Sequence, residues 1–236
     1  MPDLAQAREA MTWLSPLDLQ ALPSLEAMQA VLPQFPPHTL LTRDFFEAML
    51  QEAGDFNLPP GGDWAQVGVW RGGGALFLRA LMDDLGLGDR LLHLFDAFSE
   101  LDAEALSRPG DRAFVQALGG GAPMDNETHA RQLLRRFGHQ DSTRVIRCDI
   151  TDDNAGVTLP PLSFLHIDVD FYEPTRAALS KCYDRVLPGG IIVIDDYFLD
   201  LVHCREATED FIHERSLADE VSLQRFSSFS VLVKKT

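Results

Sequence analysis

From about residue 60 onward, short apolar runs alternate with amphipathic stretches. Trp64–Val69, Leu91–Asp96, Arg144–Asp149, Ser163–Asp168 and Gly190–Asp195 are strand-length, rich in Val, Ile, Leu and Phe, and bounded by Gly, Pro or Asp. Between them, Gly74–Leu85, a stretch opening at Phe171–Arg176, and a segment from about Glu127 to Phe137 read as helices. Such alternation predicts an α/β fold whose mostly parallel sheet is covered on both faces. Ser222–Phe226 and Ser230–Lys234 read as a closing antiparallel hairpin, which makes seven strands. Upstream, residues 1 to about 60 read as helical with proline punctuation. A helix over Leu17–Leu32 is broken by Pro33–Pro37, and Thr42-Arg43-Asp44 opens another over Phe45–Ala53. The expected organisation is a helical cap or lid over 1–60 and a core domain over 61–236. That core carries an insertion at about 97–143, with Gly119-Gly120-Gly121 as its hinge.

The order strand, helix, Leu187-Pro188-Gly189-Gly190 turn, strand has a chemical consequence. A right-handed crossover makes the flanking strands parallel and brings their C-terminal ends to one rim. Asp168, Asp195 and Asp196 then converge, with Asp170 just beyond. Carboxylates held together repel one another, and a divalent cation is their natural occupant. The same acids can instead be read as a helix cap at Asp168 and a solvated turn at Asp195-Asp196.

A second candidate is the glycine-rich turn Gly68-Val69-Trp70-Arg71-Gly72-Gly73-Gly74 between the first strand and the first helix. Glycine lets the backbone turn tightly and approach a ligand. In open α/β sheets that location binds nucleotides. The Gly68-xxx-Gly72 spacing and Trp70 disagree with the dinucleotide pattern GxGxxG, which argues against a nicotinamide dehydrogenase. Asp96 ends the second strand, where an acid can accept ribose hydroxyls. Asp149 ends the third and reads equally as an adenine contact or a turn acid. His166 shares a strand face with Asp168 and reads as a donor-site neighbour or a core histidine. Arg71 is read as a contact to cofactor or substrate, and Trp70 as the residue that shapes the turn. Tyr197 and Phe198 wall the pocket or simply pack.

Composition narrows the partners. A formal charge of -16 disfavours nucleic acid and anionic membrane surfaces. Three scattered cysteines without a CxxC argue against disulfides and zinc, and suit reduced thiols in a cytoplasm. The first residues have no signal-peptide pattern and the apolar runs are too short to span a membrane.

Three segments, Gly68-Val69-Trp70-Arg71-Gly72-Gly73, His166-Ile167-Asp168-Val169-Asp170-Phe171-Tyr172-Glu173-Pro174-Thr175 and Pro188-Gly189-Gly190-Ile191-Ile192-Val193-Ile194-Asp195-Asp196-Tyr197, resemble the macrocin-type O-methyltransferases. The resemblance covers about residues 60–200. It implies a Rossmann-like class I methyltransferase fold, an S-adenosylmethionine donor, Mg2+, and a deoxysugar hydroxyl of an antibiotic as acceptor. It implies metal ligation by Asp168, Asp195 and Asp196, a general base at Asp170, cofactor glycines at Gly68 and Gly72, and a ribose acid at Asp96. Joined to the reading of the residues themselves, the expected cofactor site is Gly68, Val69, Trp70, Arg71, Gly72, Asp96, Asp149 and His166. The chain departs from the family at Gln66, where a glutamate is usual, and at Ala97 and Cys148-Asp149-Ile150. The expected function is metal-dependent methyl transfer to a hydroxyl of a small diol-bearing molecule, a sugar of a secondary metabolite. Catechol or nitrogen methylation on the same fold, or a catalytically silent nucleoside-binding protein, are the alternatives. The N-terminal helices could pair across a two-fold, leaving a homo-oligomer open.

Overall fold

The structure is a computed structural model that describes residues 4–14, 38–53, 56–99, 102–117, 126–228 and 230–235. The expected Leu17–Leu32 helix, the Pro33–Pro37 break and the Gly119–Gly121 hinge lie outside the described residues. Two N-terminal helices, α1 (Ala5–Leu14) and α2 (Arg43–Glu52), precede β1 (Asp63–Val67) and α3 (Gly73–Asp84). Then come β2 (Leu92–Asp96), α4 (Pro109–Ala117), α5 (Asn126–Arg136), β3 (Thr143–Arg147), β4 (Leu162–Ile167) and α6 (Tyr172–Cys182). The chain closes with β5 (Val186–Ile194), α7 (Cys204–Glu214), β6 (Val221–Arg225) and β7 (Val231–Lys235). Among the described residues the seven strands form one sheet in the order β3-β2-β1-β4-β5-β7-β6. The first five are parallel; β7 runs antiparallel to both β5 and β6, as the expected hairpin requires.

Alternation along the strands divides the core in two. Trp64, Leu92, Leu94, Phe164, Ile191 and Val193 face α1, α2, α3 and α5. Ala65, Val67, Phe95, Leu165, Ile167, Ile192 and Ile194 face α6 and α7. Period-two side chains that are apolar on both faces are what a doubly covered parallel sheet demands. Helix α2 starts at Thr42, whose side chain accepts from the Phe45 N–H at 3.4 Å. It buries Phe45, Phe46 and Met49 in the same cluster as Trp64 and Phe164, so the N-terminal segment completes one face of the core.

Two details depart from the sequence expectation. Leu187–Gly190 is part of β5 rather than a turn before it. The register jumps from Leu162 opposite Val186 to Phe164 opposite Ile191, so these residues bulge out of the ladder, with Gly189 at φ 80°. Helices α4 and α7 are outside the sequence expectation: α4 is short, and the buried stripe of α7, Cys204, Ala207, Thr208 and Phe211, is mostly small or polar. No described helix is long and apolar enough to cross a membrane.

Strand order reverses between β1 and β4. The crevice at their C-terminal ends, the position where such sheets bind ligands, is bordered by the glycine turn on one side and the acidic segments on the other.

Candidate active site

The glycine turn is held by hydrogen bonds to neighbouring strands and helices. Gly68 N–H donates to Phe95 O at 2.8 Å and Gly72 N–H to Val69 O at 2.8 Å. Gly68 has φ 91°, and a Cβ there would overlap the carbonyl of Asp168 on the adjoining segment. Gly72 has φ 87°, and a Cβ there would lie 2.9 Å from Cα of Ala130 on α5. At both positions only glycine combines the left-handed backbone with the close approach. Trp70 is left-handed as well, at φ 46°. A bulky residue in that region is strained, and the surroundings hold it there.

Asp96 supplies much of that restraint. Its Oδ2 accepts from Val69 N–H and Trp70 N–H, each at 2.7 Å, and its Oδ1 from Phe98 N–H at 2.7 Å. A carboxylate offers about four lone-pair sites, so these bonds leave little room for ribose hydroxyls without rearrangement. Asp96 is therefore first of all the residue that shapes the turn. Asp149 is exposed, and its Oδ1 accepts from Thr151 N–H at 2.9 Å and from Thr151 Oγ1 at 2.7 Å, the bonding of a turn acid. Arg71 reaches across the turn to His129 Nδ1 at 3.1 Å, and His129 Nε2 lies 2.9 Å from His38 Nδ1. Burial first, then the Arg71 charge, pushes the His129 imidazole down to about 4. Because Arg71 can only donate, His129 carries its proton on Nε2 and donates it to His38.

Opposite the turn lie the acids. Asp168 N–H donates to Val67 O at 2.8 Å and Asp195 N–H to Ile167 O at 2.9 Å, so the ladder aligns the ends of β1, β4 and β5. Asp168, Asp195 and Asp196 each place a potential ligand atom within 4.8 Å of the others, and all three are half-buried. Burial, then Asp195 and Asp170, pushes the Asp168 carboxyl well up; burial, then Asp195 and Asp170, does the same to Asp196. Burial pushes Asp195 up to about 6 even though Ser230 donates a hydrogen bond to its Oδ1. Asp170 is raised by burial and shares a hydrogen bond with Asp196, which requires one of the two carboxyls to hold a proton.

The backbone here is strained. Asp170 and Asp196 both have left-handed φ, 59° and 53°. Phe171 N–H donates to Val169 O at 2.6 Å, closing around Asp170 a three-residue turn of the rarer, more strained hand. Strain and like-charge repulsion gathered at one point are features that functional sites concentrate. The donor set fits a hard divalent ion: all oxygen, acidic, open to one side.

The structure brings together Gly68, Val69, Trp70, Arg71, Gly72 and Asp96 on one side and Asp168, Asp170, Asp195 and Asp196 on the other. His166 is elsewhere: it is fully buried on β4, 5.0 Å from the Phe45 ring centroid, and paired in register with Gln66. Among the described residues neither ring nitrogen nor Gln66 Oε1 has a hydrogen-bond partner, and burial holds the His166 imidazole down at about 3. It is a neutral core histidine beside a second buried polar group. Tyr197 is buried and donates to Glu209 at 3.1 Å, while Phe198 lies under Arg225 at 3.6 Å. His139 sits 3.7 Å from Asp83 at the far end of α3, away from the rim. Sequence reasoning missed Ser230, His38, Asp111 and His203, whose partners are distant in the chain.

The match to a protein family is extensive. The macrocin O-methyltransferase family model covers residues 44–234. The 8-demethyl-8-(2,3-dimethoxy-alpha-L-rhamnosyl)-tetracenomycin-C 4'-O-methyltransferase of Streptomyces olivaceus is 31% identical over 163 residues, 68% of this chain and 62% of that protein. The demethyldecarbamoylnovobiocin O-methyltransferase of Streptomyces niveus is 27% identical over 167 residues, 70% of this chain and 63% of that protein. The matched part thus spans less than two thirds of these curated relatives. Among solved structures, the O-methyltransferase NovP aligns over 85% of this chain and 83% of its own with a TM-score of 0.73 at 24% identity, which shows a common fold. The calicheamicin methyltransferase CalS11 aligns over 98% of this chain and 91% of its own with a TM-score of 0.56 at 16% identity, again at the level of fold. With the matched span running from α2 to β7 and enclosing both the glycine turn and the acidic rim, the chain belongs to the macrocin O-methyltransferase family.

Proposed function

We propose that this chain transfers a methyl group from S-adenosylmethionine to a hydroxyl of a small diol-bearing molecule, a sugar of a secondary metabolite, with Mg2+ dependence. The observation that carries the reading is the placement of three converging carboxylates and Asp170 across the switch-point crevice from the glycine turn. Both named relatives are O-methyltransferases, and one carries a methylated rhamnosyl group in its name.

Gly68 and Gly72, with the backbone of Val69, Trp70 and Arg71, would hold the donor, which supplies an electrophilic sulfonium methyl. Asp96 fixes that turn, and the one acceptor site its three backbone bonds leave is the candidate for a ribose hydroxyl. Asp149, beyond β3, is the candidate for the adenine side, through the oxygen that Thr151 leaves open. Asp168, Asp195 and Asp196 would hold the cation, which supplies positive charge that offsets the carboxylates and favours the deprotonated form of a hydroxyl beside it. Asp170 accepts the proton of the acceptor hydroxyl. Its raised carboxyl is better matched to a general base near neutrality than an ordinary aspartate. The bound donor would supply a methyl carbon for the acceptor oxygen to attack and a neutral thioether as the leaving group. Much of the acceleration then comes from holding the two reactants in line. Gln66, where the family has glutamate, removes one negative charge from beneath the turn.

Calorimetry with S-adenosylhomocysteine and with NAD tests the donor. Binding of the first and silence of the second is expected. Methyl transfer is assayed with methyl rhamnoside and with dihydroxybenzoate, with and without EDTA. Transfer to the sugar that EDTA abolishes is the expected result; undiminished transfer in EDTA contradicts the metal reading.

A further inference from the structure

The insertion after β2 docks onto the rim helices. Ser107 N–H donates to Glu173 at 2.9 Å. Arg108 pairs with Glu206 at 2.9 and 3.1 Å and lies 3.7 Å over the Tyr172 ring. These contacts are largely solvent-exposed, and such pairs contribute little. Asp111, in the first turn of α4, is different, because its side chain is fully buried. One oxygen accepts from Tyr172 N–H at 2.9 Å; the other accepts from His203 N–H at 3.0 Å and His203 Nδ1–H at 2.7 Å.

The identity of those donors matters. Tyr172 opens α6 immediately after the strained turn that carries Asp170. His203 caps α7 at the end of the segment that begins with Asp195-Asp196. Its ring rests against the insertion backbone, where a Cβ on Gly110 would lie 2.5 Å from His203 Cε1. A carboxylate borne by neither segment therefore bonds to both, and without it two backbone N–H groups in a buried place lose their acceptor. Leu106, Val115, Phe171, Val202 and Cys204 close an apolar cluster around the contact.

We propose that Asp111 is a positioning residue: from the insertion it ties the segment bearing Asp170 to the segment bearing Asp195 and Asp196, so the acidic site keeps its geometry only while α4 is docked. The catalytic consequence rests on the methyl-transfer reading; the clamp itself does not.

Hydrogen–deuterium exchange on the full chain tests the clamp without turnover. Asp111→Asn keeps the shape but offers one acceptor oxygen and turns an NH2 group toward N–H donors. Protection at Tyr172 and His203 is expected to fall about 10- to 100-fold, with the Gly68–Gly72 amides unchanged. His203→Ala removes only the ring bond and is expected to speed exchange at residues 203–207 by about 3- to 10-fold, sparing Tyr172. In calorimetry, Asp111→Asn is expected to weaken Mg2+ binding while the affinity for S-adenosylhomocysteine holds. Unchanged exchange at Tyr172 and His203, or an equal loss of protection across the whole sheet, overturns the proposal. Should the wild-type chain methylate nothing while Asp111→Asn still loosens only the rim, the functional reading fails and the clamp stands.

Discussion

The two sides of the crevice differ in completeness. On the glycine side, Asp96 satisfies the N–H groups of Val69, Trp70 and Phe98, and the Arg71–His129–His38 chain settles its own protons. That side is bonded within the protein and needs no added charge. On the acidic side, Asp168, Asp195 and Asp196 crowd together, their carboxyls are pushed up, and Asp170 and Asp196 sit in strained backbone. A network satisfied internally is a preorganised platform, and one left repulsive is the side on which the proposed cation would act.

If that contrast is right, mutations should separate the two sides. The largest effect is expected for Asp195→Ala, with transfer reduced by about 10³-fold or more. S-adenosylhomocysteine affinity should change less than about twofold, because the glycine side is independently bonded. Equal loss of both would make Asp195 structural. Asp170→Asn comes next: transfer falls about 10²- to 10⁴-fold while Mg2+ binding persists, read by single-turnover assay beside calorimetry.

On the other side, Asp96→Ala leaves three backbone N–H groups without their acceptor. It should weaken S-adenosylhomocysteine binding by about 10- to 100-fold, and leave Mg2+ binding in the absence of donor intact. Weakened Mg2+ binding would mean that the two sides are one network.

The smallest effect is thermal. Carboxyls whose folded pKa lies above the unfolded value stabilise the fold below that unfolded value, and the contribution is lost as pH rises through the folded one. For Asp195 the window runs from its ordinary 3.8 to about 6, and Asp168 and Asp196 extend it upward. His129 and His166, held down at about 4 and about 3, contribute with the opposite sign over the same range, so the carboxyl effect is read against Asp195→Asn. The metal-free chain should lose melting temperature relative to that variant as pH rises from about 4 toward neutrality. Mg2+ at about 100 times its Kd should raise the melting temperature by about 5–10 °C at neutral pH, and by less at pH 5. A metal-free chain that gains melting temperature relative to Asp195→Asn as pH rises would contradict the raised carboxyls.

The sequence made some of this legible and hid the rest, for physical reasons. β1, β2, β4 and the second half of β5 could be read because burial on both faces leaves largely apolar runs, ending in an acid at β2, β4 and β5 and in the glycine turn at β1. The convergence of Asp168 with Asp195 and Asp196 followed from the handedness of one crossover. Leu187–Gly190 misled because a bulge and a turn use the same residues. His166 carries the right spacing for a site residue, yet strand geometry places it under Phe45, inside the core. Ser230, Asp111 and His203 left no local signal: Ser230 meets Asp195 from 35 residues away and Asp111 meets His203 across 92. Helix α4 packs through Val115 and Phe114 against Phe171, Val202 and Cys204, while α7 buries Cys204, Ala207, Thr208 and Phe211, a stripe whose small and polar members leave a faint signal.

The most direct test is equilibrium titration of Mg2+ into the chain saturated with S-adenosylhomocysteine, beside the Asp168→Asn variant. The account predicts one ion per chain, bound with proton release at pH 6 and lost in the variant. No binding, or binding that the variant leaves unchanged, would contradict it.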